Sequence, residues 1–174
     1  MEHLDLARLT PATWREYRAI RLAALAEAPS AFGSMLAEAR RLRAADWRAR
    51  LAQRVQFVVR HRGAAVGTVA GLVEDGAELV SLWVHPAWRG RGVGDRLMQA
   101  VLDWARQEGH TEVRLWVTAD NEPAERLYAR HGFVRTGQSQ PVTPGDPMRR
   151  EIAMACALDT ARTRHTPQAS PDLA

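Results

Sequence analysis

Lysine is absent from this chain: all 24 of its Lys+Arg residues are arginine. That absence removes any site for lysine modification and any phosphate loop that depends on a lysine. Cysteine occurs once, at Cys156, so no internal disulfide can form. No apolar run approaches the ~20 residues needed to span a bilayer, and no membrane partner is expected. The opening Met1-Glu2-His3-Leu4-Asp5 lacks the basic-then-apolar pattern of a secretory leader, so a cytoplasmic protein is the expectation. The arginines are scattered, without a run of five or six, and no nucleic-acid partner is expected despite a formal net charge of +4. No metal site is expected either.

What is present is the composition of a globular protein: 174 residues, 46% hydrophobic and 25% charged. One domain is expected over residues 1–158. A polar, Pro-containing tail over 159–174 is expected to be disordered.

The chain is organised around Leu79–Gly94, which reads Leu-Val-Ser-Leu-Trp-Val-His-Pro-Ala-Trp-Arg-Gly-Arg-Gly-Val-Gly. Its apolar first half reads as a buried strand, and Pro86 ends it for want of an N–H. Leu97, Met98, Val101, Leu102 and Ala105 then recur with helical spacing. The order is strand, glycine-rich turn, helix. A helix start leaves about four N–H groups unpaired, its dipole favours negative charge, and glycine admits a close ligand. Together these make a seat for a phosphate. The turn lacks the lysine of a P-loop, and the dinucleotide fingerprint Gly-x-Gly-x-x-Gly fails because Asp95 stands at its third glycine position. Three glycines alone fit an empty turn as well as an anion seat.

Elsewhere the pattern predicts a short strand within 2–9. A helix follows from Thr10-Pro11, with the threonine hydroxyl as cap, to about Ala28. Pro29–Ser34 breaks it, and an Arg-rich helical region resumes after Asp46. Val55–His61 and Ala64–Val73 read as antiparallel strands, with Gly67 and Gly71 marking a bulge or close backbone approach. Glu78–Val84 follows. After the helix ending at Gly109, Glu112–Val117 should lie parallel to Glu78–Val84. Asn121 or a neighbour starts a helix that stops at Gly132. Strands begin at Phe133 and at Met148, separated by a Pro141–Pro147 loop. The fold class is α/β (α+β), with about seven strands and about four helices.

Two patterns now stand in order: Val84-His-Pro-x-x-Arg89-Gly-x-Gly92-x-Gly94, then Asn121-x-x-Ala124-x-x-Leu127-Tyr128-x-x-x-Gly132-Phe133. Across roughly residues 4–157 the chain resembles the GNAT N-acetyltransferase superfamily. The resemblance implies a mixed seven-stranded sheet whose central parallel strands splay to admit the pantetheine of acetyl-CoA. It implies an enzyme that acetylates a primary amine of a small molecule or peptide, with acetyl-CoA as co-substrate. It places the diphosphate on the backbone of Arg89, Gly90, Arg91, Gly92, Val93 and Gly94, with Arg89 adding positive charge. It places the pantetheine beside Leu82 and Val84, within reach of Asn121. The N–H of Val84, at a bulge, becomes the expected oxyanion donor. Tyr128 becomes the expected acid for the leaving thiolate, because a phenol of pKa ~10 suits that task.

The residues themselves leave alternatives. Asn121 is also a plain helix cap, and Tyr128 also suits core packing. Glu78 is the expected base, against a solvated strand end and against Glu74, Asp75 and His85. Cys156 reads as a buried spacer, since nothing near it activates a thiol. The acceptor pocket is expected between Pro29–Ser34, the second helical region and Pro141–Pro147. A homodimer is one assembly such proteins adopt. The other functional reading is a catalytically silent acetyl-CoA sensor or interaction module.

Overall fold

The computed structural model describes residues 3–27, 36–146 and 148–159. The expected tail from 160 onward and the expected pocket segment Pro29–Ser34 lie outside the described residues. The elements run β1 (Leu4–Leu9), a 3-10 turn (Pro11–Thr13), α1 (Trp14–Glu27), α2 (Leu36–Arg41), α3 (Ala44–Ala52), β2 (Val55–His61) and β3 (Ala64–Val73). They continue with β4 (Ala77–Val84), a 3-10 turn (Pro86–Trp88), α4 (Val93–Gln107), β5 (Glu112–Thr118), α5 (Glu122–Arg130), β6 (Val134–Pro141) and β7 (Arg150–Ala157). The strands form one seven-stranded sheet in the order β1-β2-β3-β4-β5-β7-β6. Among the described residues only the β4–β5 pair is parallel, as expected from the intervening helix.

The sheet carries helices on both faces. One core gathers α4 and Tyr128 of α5 against Val55, Val59, Val69, Leu79, Leu115 and their neighbours. The other gathers Tyr17, Ile20 and Leu25 of α1 and Trp47 and Leu51 of α3 against Leu9, Val58 and Trp83. In α4, Leu97, Met98, Val101 and Ala105 are fully buried, and burial of a Leu, Met or Val side chain contributes about 1.5–3 kcal/mol. Gly67 and Gly71 mark close approach, and Gly67 also adjoins a bulge in β3, where Val66 is the extra residue between the pairs Val59–Gly67 and Arg60–Ala65. A Cβ on Gly67 would stand 2.6 Å from Val93 Cγ1, and one on Gly71 2.5 Å from the Trp104 ring. The sheet surface is cut down there so that α4 can lie against it.

Several local expectations need correction. The Thr10 hydroxyl makes no cap: the Thr13 hydroxyl instead accepts the Thr10 N–H at 2.9 Å and donates back to the Thr10 carbonyl. Pro11–Thr13 is therefore a 3-10 turn, which leads into α1. The Arg-rich region holds two helices, so there are five α-helices among the described residues. α3 starts ahead of Asp46, because the Asp46 carboxylate accepts the Arg43 N–H at 2.7 Å and closes the helix start. Among the described residues no helix is long and apolar enough to cross a membrane.

Candidate active site

β4 and β5 pair only at Ala77–Val113 and Glu78–Arg114. β5, by contrast, pairs with β7 along its whole length from Glu112 to Thr118. Beyond Glu78 the two parallel strands therefore separate, and the sheet opens toward the end of β4 that leads to the glycines.

A bulge shapes the β4 edge of that opening. Thr68 pairs with Trp83 but Ala70 pairs with Val80, so Ser81 and Leu82 together oppose the single residue Val69. Ser81 takes the left-handed conformation, φ +57°, which non-glycine residues seldom adopt. The bulge was expected at Val84. It lies earlier, because Trp83 is committed to the core under α1 while Leu82 and Val84 pack toward α4.

The hydrogen-bond direction follows. The His85 N–H donates to the Val66 carbonyl at 2.9 Å, so Trp83 and His85 face β3. Alternation turns the N–H groups of Leu82 and Val84 to the opposite side, into the gap. The Val84 carbonyl, on that same side, accepts from Arg89 Nε at 3.1 Å. Arg89 also donates to Glu27 at 2.8 Å, and the Trp83 indole donates to the same carboxylate oxygen at 2.9 Å. The bond from Trp83, reinforced by Arg89, holds the Glu27 carboxyl below its ordinary pKa. Arg89 is thus engaged in fastening the end of β4 to α1, and its charge is already matched by Glu27.

The glycine turn is open where a ligand would lie. Gly90 and Gly92 have φ +72° and +77°, and a Cβ at either would meet nothing within 4 Å. Gly92 is the N-cap of α4 and has no side-chain cap. The first helical bond of α4 runs from the Arg96 N–H to the Gly92 carbonyl at 3.1 Å, which leaves the N–H groups of Val93, Gly94 and Asp95 without intrahelical partners. Gly94 serves another purpose: a Cβ there would stand 3.0 Å from Leu127, so it lets α5 close onto α4. Val93 is buried in the α4 core. The Arg91 guanidinium lies over Trp88, 5.2 Å from its centroid. Asp95 does not cap the helix. Burial raises its pKa, but bonds from His131 at 2.9 Å and Arg130 at 3.0 Å outweigh that and hold it low.

Asn121 caps α5, its side-chain oxygen accepting the Ala124 N–H at 3.3 Å. Tyr128 is buried beside Phe133, ring centroids 6.1 Å apart, in the core against which Leu82 and Val84 pack. Burial alone pushes its pKa up to about 12. Glu78 stands at the root of the gap, where β4 and β5 still touch. Burial raises its pKa, and the nearby carboxylates of Glu74 and Glu151 raise it further. His85 uses Nδ1 to accept the Ala87 N–H at 3.2 Å. Cys156 is buried, points at the His131 carbonyl and has its pKa raised by burial, which fits a spacer. A separate cavity of about 430 Å³, lined by Glu16, Ile20, Ala23, Arg60, Trp83 and His85, lies on the α1 face of β4. Among the described residues no group of acidic, histidine or cysteine side chains is arranged to hold a metal ion.

Sequence reasoning missed Ser81 and Glu27, and it quoted Leu127 in the second pattern without foreseeing its contact with Gly94. A serine inside the apolar run 79–84 was the one signal of the bulge. Nothing in the sequence linked Glu27 to Arg89, 62 residues away.

Comparison with known proteins agrees with this geometry. The family model described as Acetyltransferase (GNAT) family matches residues 15–133. A mycothiol acetyltransferase of Clavibacter sepedonicus is 46% identical over 74 residues, 40% of this chain and 24% of that protein. The N-alpha-acetyltransferase RimI of Mycobacterium tuberculosis is 43% identical over 60 residues, 34% of this chain and 36% of that protein. The chain therefore spans well under half the length of these curated relatives. Among solved structures, a GNAT-family acetyltransferase from Streptococcus pneumoniae superposes with TM-score 0.73 at 20% identity, covering 90% of this chain and 99% of that one. The ribosomal-protein-S18-alanine N-acetyltransferase of Escherichia coli gives TM-score 0.67 at 19% identity, covering 94% and 99%. A putative streptothricin acetyltransferase of Bacillus anthracis, solved in complex with acetyl coenzyme A, gives TM-score 0.56 at 19% identity, covering 62% and 64%. With a family model matched across the glycine turn, the splayed strands and α5, this chain belongs to the acetyltransferase (GNAT) family.

Proposed function

We propose that the chain transfers the acetyl group of acetyl-CoA to a primary amine of a small molecule or peptide, by direct attack while both are bound. The observation that carries this reading is the gap between β4 and β5, edged by two outward-facing N–H groups and opening onto an uncapped helix start. The residues present fit acetyl-CoA. Gly90 and Gly92 leave the space that a diphosphate needs, and the N–H groups of Val93, Gly94 and Asp95 face it with the positive end of the α4 dipole.

When bound, acetyl-CoA supplies an activated acyl carbon and a thiolate leaving group. Val84 and Leu82 offer their N–H groups to the pantetheine as an added strand would. With the diphosphate at Gly92, the arm passes Val84 before Leu82. The Leu82 N–H, next to the bulge, is therefore the better placed of the two for the charge developing on the carbonyl oxygen. The expected role of Val84 passes to Leu82 for that reason. Removing one such donor costs ~10²–10³ in rate in comparable systems.

Glu78 accepts the proton that the amine loses as its nitrogen bonds to the acyl carbon. A raised carboxyl pKa makes Glu78 a stronger base than an ordinary glutamate, as its burial and the Glu74 and Glu151 charges require. The same three carboxylates favour an acceptor that arrives as a cation. Tyr128 donates a hydrogen bond to the sulfur as the C–S bond breaks. With its pKa near 12, full proton transfer to a thiolate of pKa ~8.5 is uphill by roughly 5 kcal/mol, so Tyr128 holds the leaving sulfur as a neutral donor. Asn121 keeps its amide NH₂ for the pantetheine while its oxygen caps α5.

The curated relatives include a mycothiol acetyltransferase and an N-alpha-acetyltransferase, which supports keeping both a small molecule and a peptide as acceptor classes. The test is thiol release from acetyl-CoA, measured on the full chain against a panel of amines, polyamines and peptide N-termini. Turnover with a cationic amine is expected. Tight acetyl-CoA binding without turnover across the panel would instead make the chain a sensor.

A further inference from the structure

The bulge that aims Leu82 has a buried support on the far side of β3. Gln56 of β2 is 1% exposed and Thr68 of β3 is 2% exposed, in a region where Val55, Val58, Val59, Val66, Val69 and Ala70 are all buried and apolar. Gln56 Nε2 donates to Thr68 Oγ1 at 2.7 Å and to the Val69 carbonyl at 3.0 Å. The Thr68 hydroxyl in turn donates to the Phe57 carbonyl at 2.8 Å. Val69 is the residue that opposes both members of the bulge, and Thr68 pairs with Trp83 immediately after it. The network therefore grips β3 at the two positions that face the irregularity.

Stability does not account for this arrangement. Gln56 Oε1 is buried and has no hydrogen-bond partner among the described residues. An apolar side chain of similar size would leave no such orphan. Register does account for it. Side chains alternate along a strand, so displacement of the bulge by one residue would exchange the faces of Trp83 and Leu82 and turn the Leu82 N–H away from the gap. Fixing Val69 and Thr68 from the β2 side holds the bulge in place.

We propose that Gln56 and Thr68 are positioning residues for acyl transfer, acting through Val69 and the bulge on the Leu82 N–H. This rests on the reading that Leu82 faces the thioester.

The test compares Gln56→Leu and the near-isosteric Thr68→Val with the conservative Thr68→Ser. At saturating acetyl-CoA, kcat is expected to fall at least tenfold in the first two and to stay within threefold of the parent in Thr68→Ser. The Kd for CoA is expected to stay within threefold in all three, because the α4 seat is untouched. A purely structural role would lower the melting temperature and leave kcat near the parent value. Such a result in both Gln56→Leu and Thr68→Val would overturn the proposal. If the parent turns over no amine, the functional reading fails first. Hydrogen exchange at the backbone of Ser81–Val84 then decides separately. At least tenfold faster exchange in Gln56→Leu and Thr68→Val supports the support role, and unchanged exchange refutes it.

Discussion

Replacing Gly92 by valine separates backbone strain from ligand binding. Gly92 sits at φ +77°, and a Cβ there meets nothing within 4 Å. The folded protein thus suffers only the left-handed conformation, about 2 kcal/mol for a β-branched residue. That corresponds to a melting temperature lower by about 4–8 °C for a domain of this size. The ligand loses more. The new side chain stands in front of the N–H groups of Val93, Gly94 and Asp95. Two lost hydrogen bonds to a charged phosphate, each worth ~1.5–3 kcal/mol, weaken the Kd for CoA by roughly two to four orders of magnitude. Gly109, beyond the other end of α4, is the control, with φ +81° and the same open surroundings. Gly109→Val should lose similar thermal stability and keep full CoA affinity. Calorimetric titration with CoA, beside thermal melts of both variants, makes the comparison. If Gly92→Val bound CoA within threefold of the parent while melting like Gly109→Val, the diphosphate would not lie at the start of α4.

Further expectations concern the catalytic groups and the packing. Tyr128→Phe should lower kcat at least tenfold and leave CoA affinity nearly unchanged; an unaltered rate in a thiol-release assay would remove Tyr128 from the chemistry. With Glu78 as the proposed base, its raised pKa keeps it protonated at low pH, and kcat/KM should rise with pH through a value above that of an ordinary glutamate. Glu78→Gln should abolish that limb, and an identical pH profile in the variant would assign the base elsewhere. The linkage has the matching sign: Glu78 favours the fold when protonated, and that contribution is lost as pH rises through its raised pKa. Gly67→Ala drives a methyl into Val93 and Leu97, and overpacking of about 2 kcal/mol should lower the melting temperature by about 4–8 °C.

The strands were legible because their chemistry is local. β-Branched runs closed by turns placed β2 and β3 at their observed ends. The uncapped start of α4 was legible too, since glycine at 90 and 92 has a conformational cause that one segment contains. What stayed hidden depends on distant partners. The bulge sits at Ser81–Leu82 because Trp83 goes to the α1 core and its neighbours to the α4 core, a choice made by packing across the sheet. Arg89 read as a charge for phosphate, but folding brings Glu27 to it. Gly94 read as part of the phosphate seat, but its smallness serves Leu127. Gln56 and Thr68 carry no motif, and only the register of β2, β3 and β4 gives their hydrogen bonds a purpose.

The most direct measurement is a ¹H–¹⁵N NMR titration of the full chain with CoA and, separately, with pantetheine. CoA should move the amide signals of Gly92, Val93, Gly94 and Asp95 together with those of Leu82 and Val84, and pantetheine should move only the last two. If CoA saturated the protein while the amides of Val93, Gly94 and Asp95 stayed still, or if its shifts fell around Glu16, Ala23 and Trp83 in the α1 cavity, the start of α4 would not be the cofactor seat.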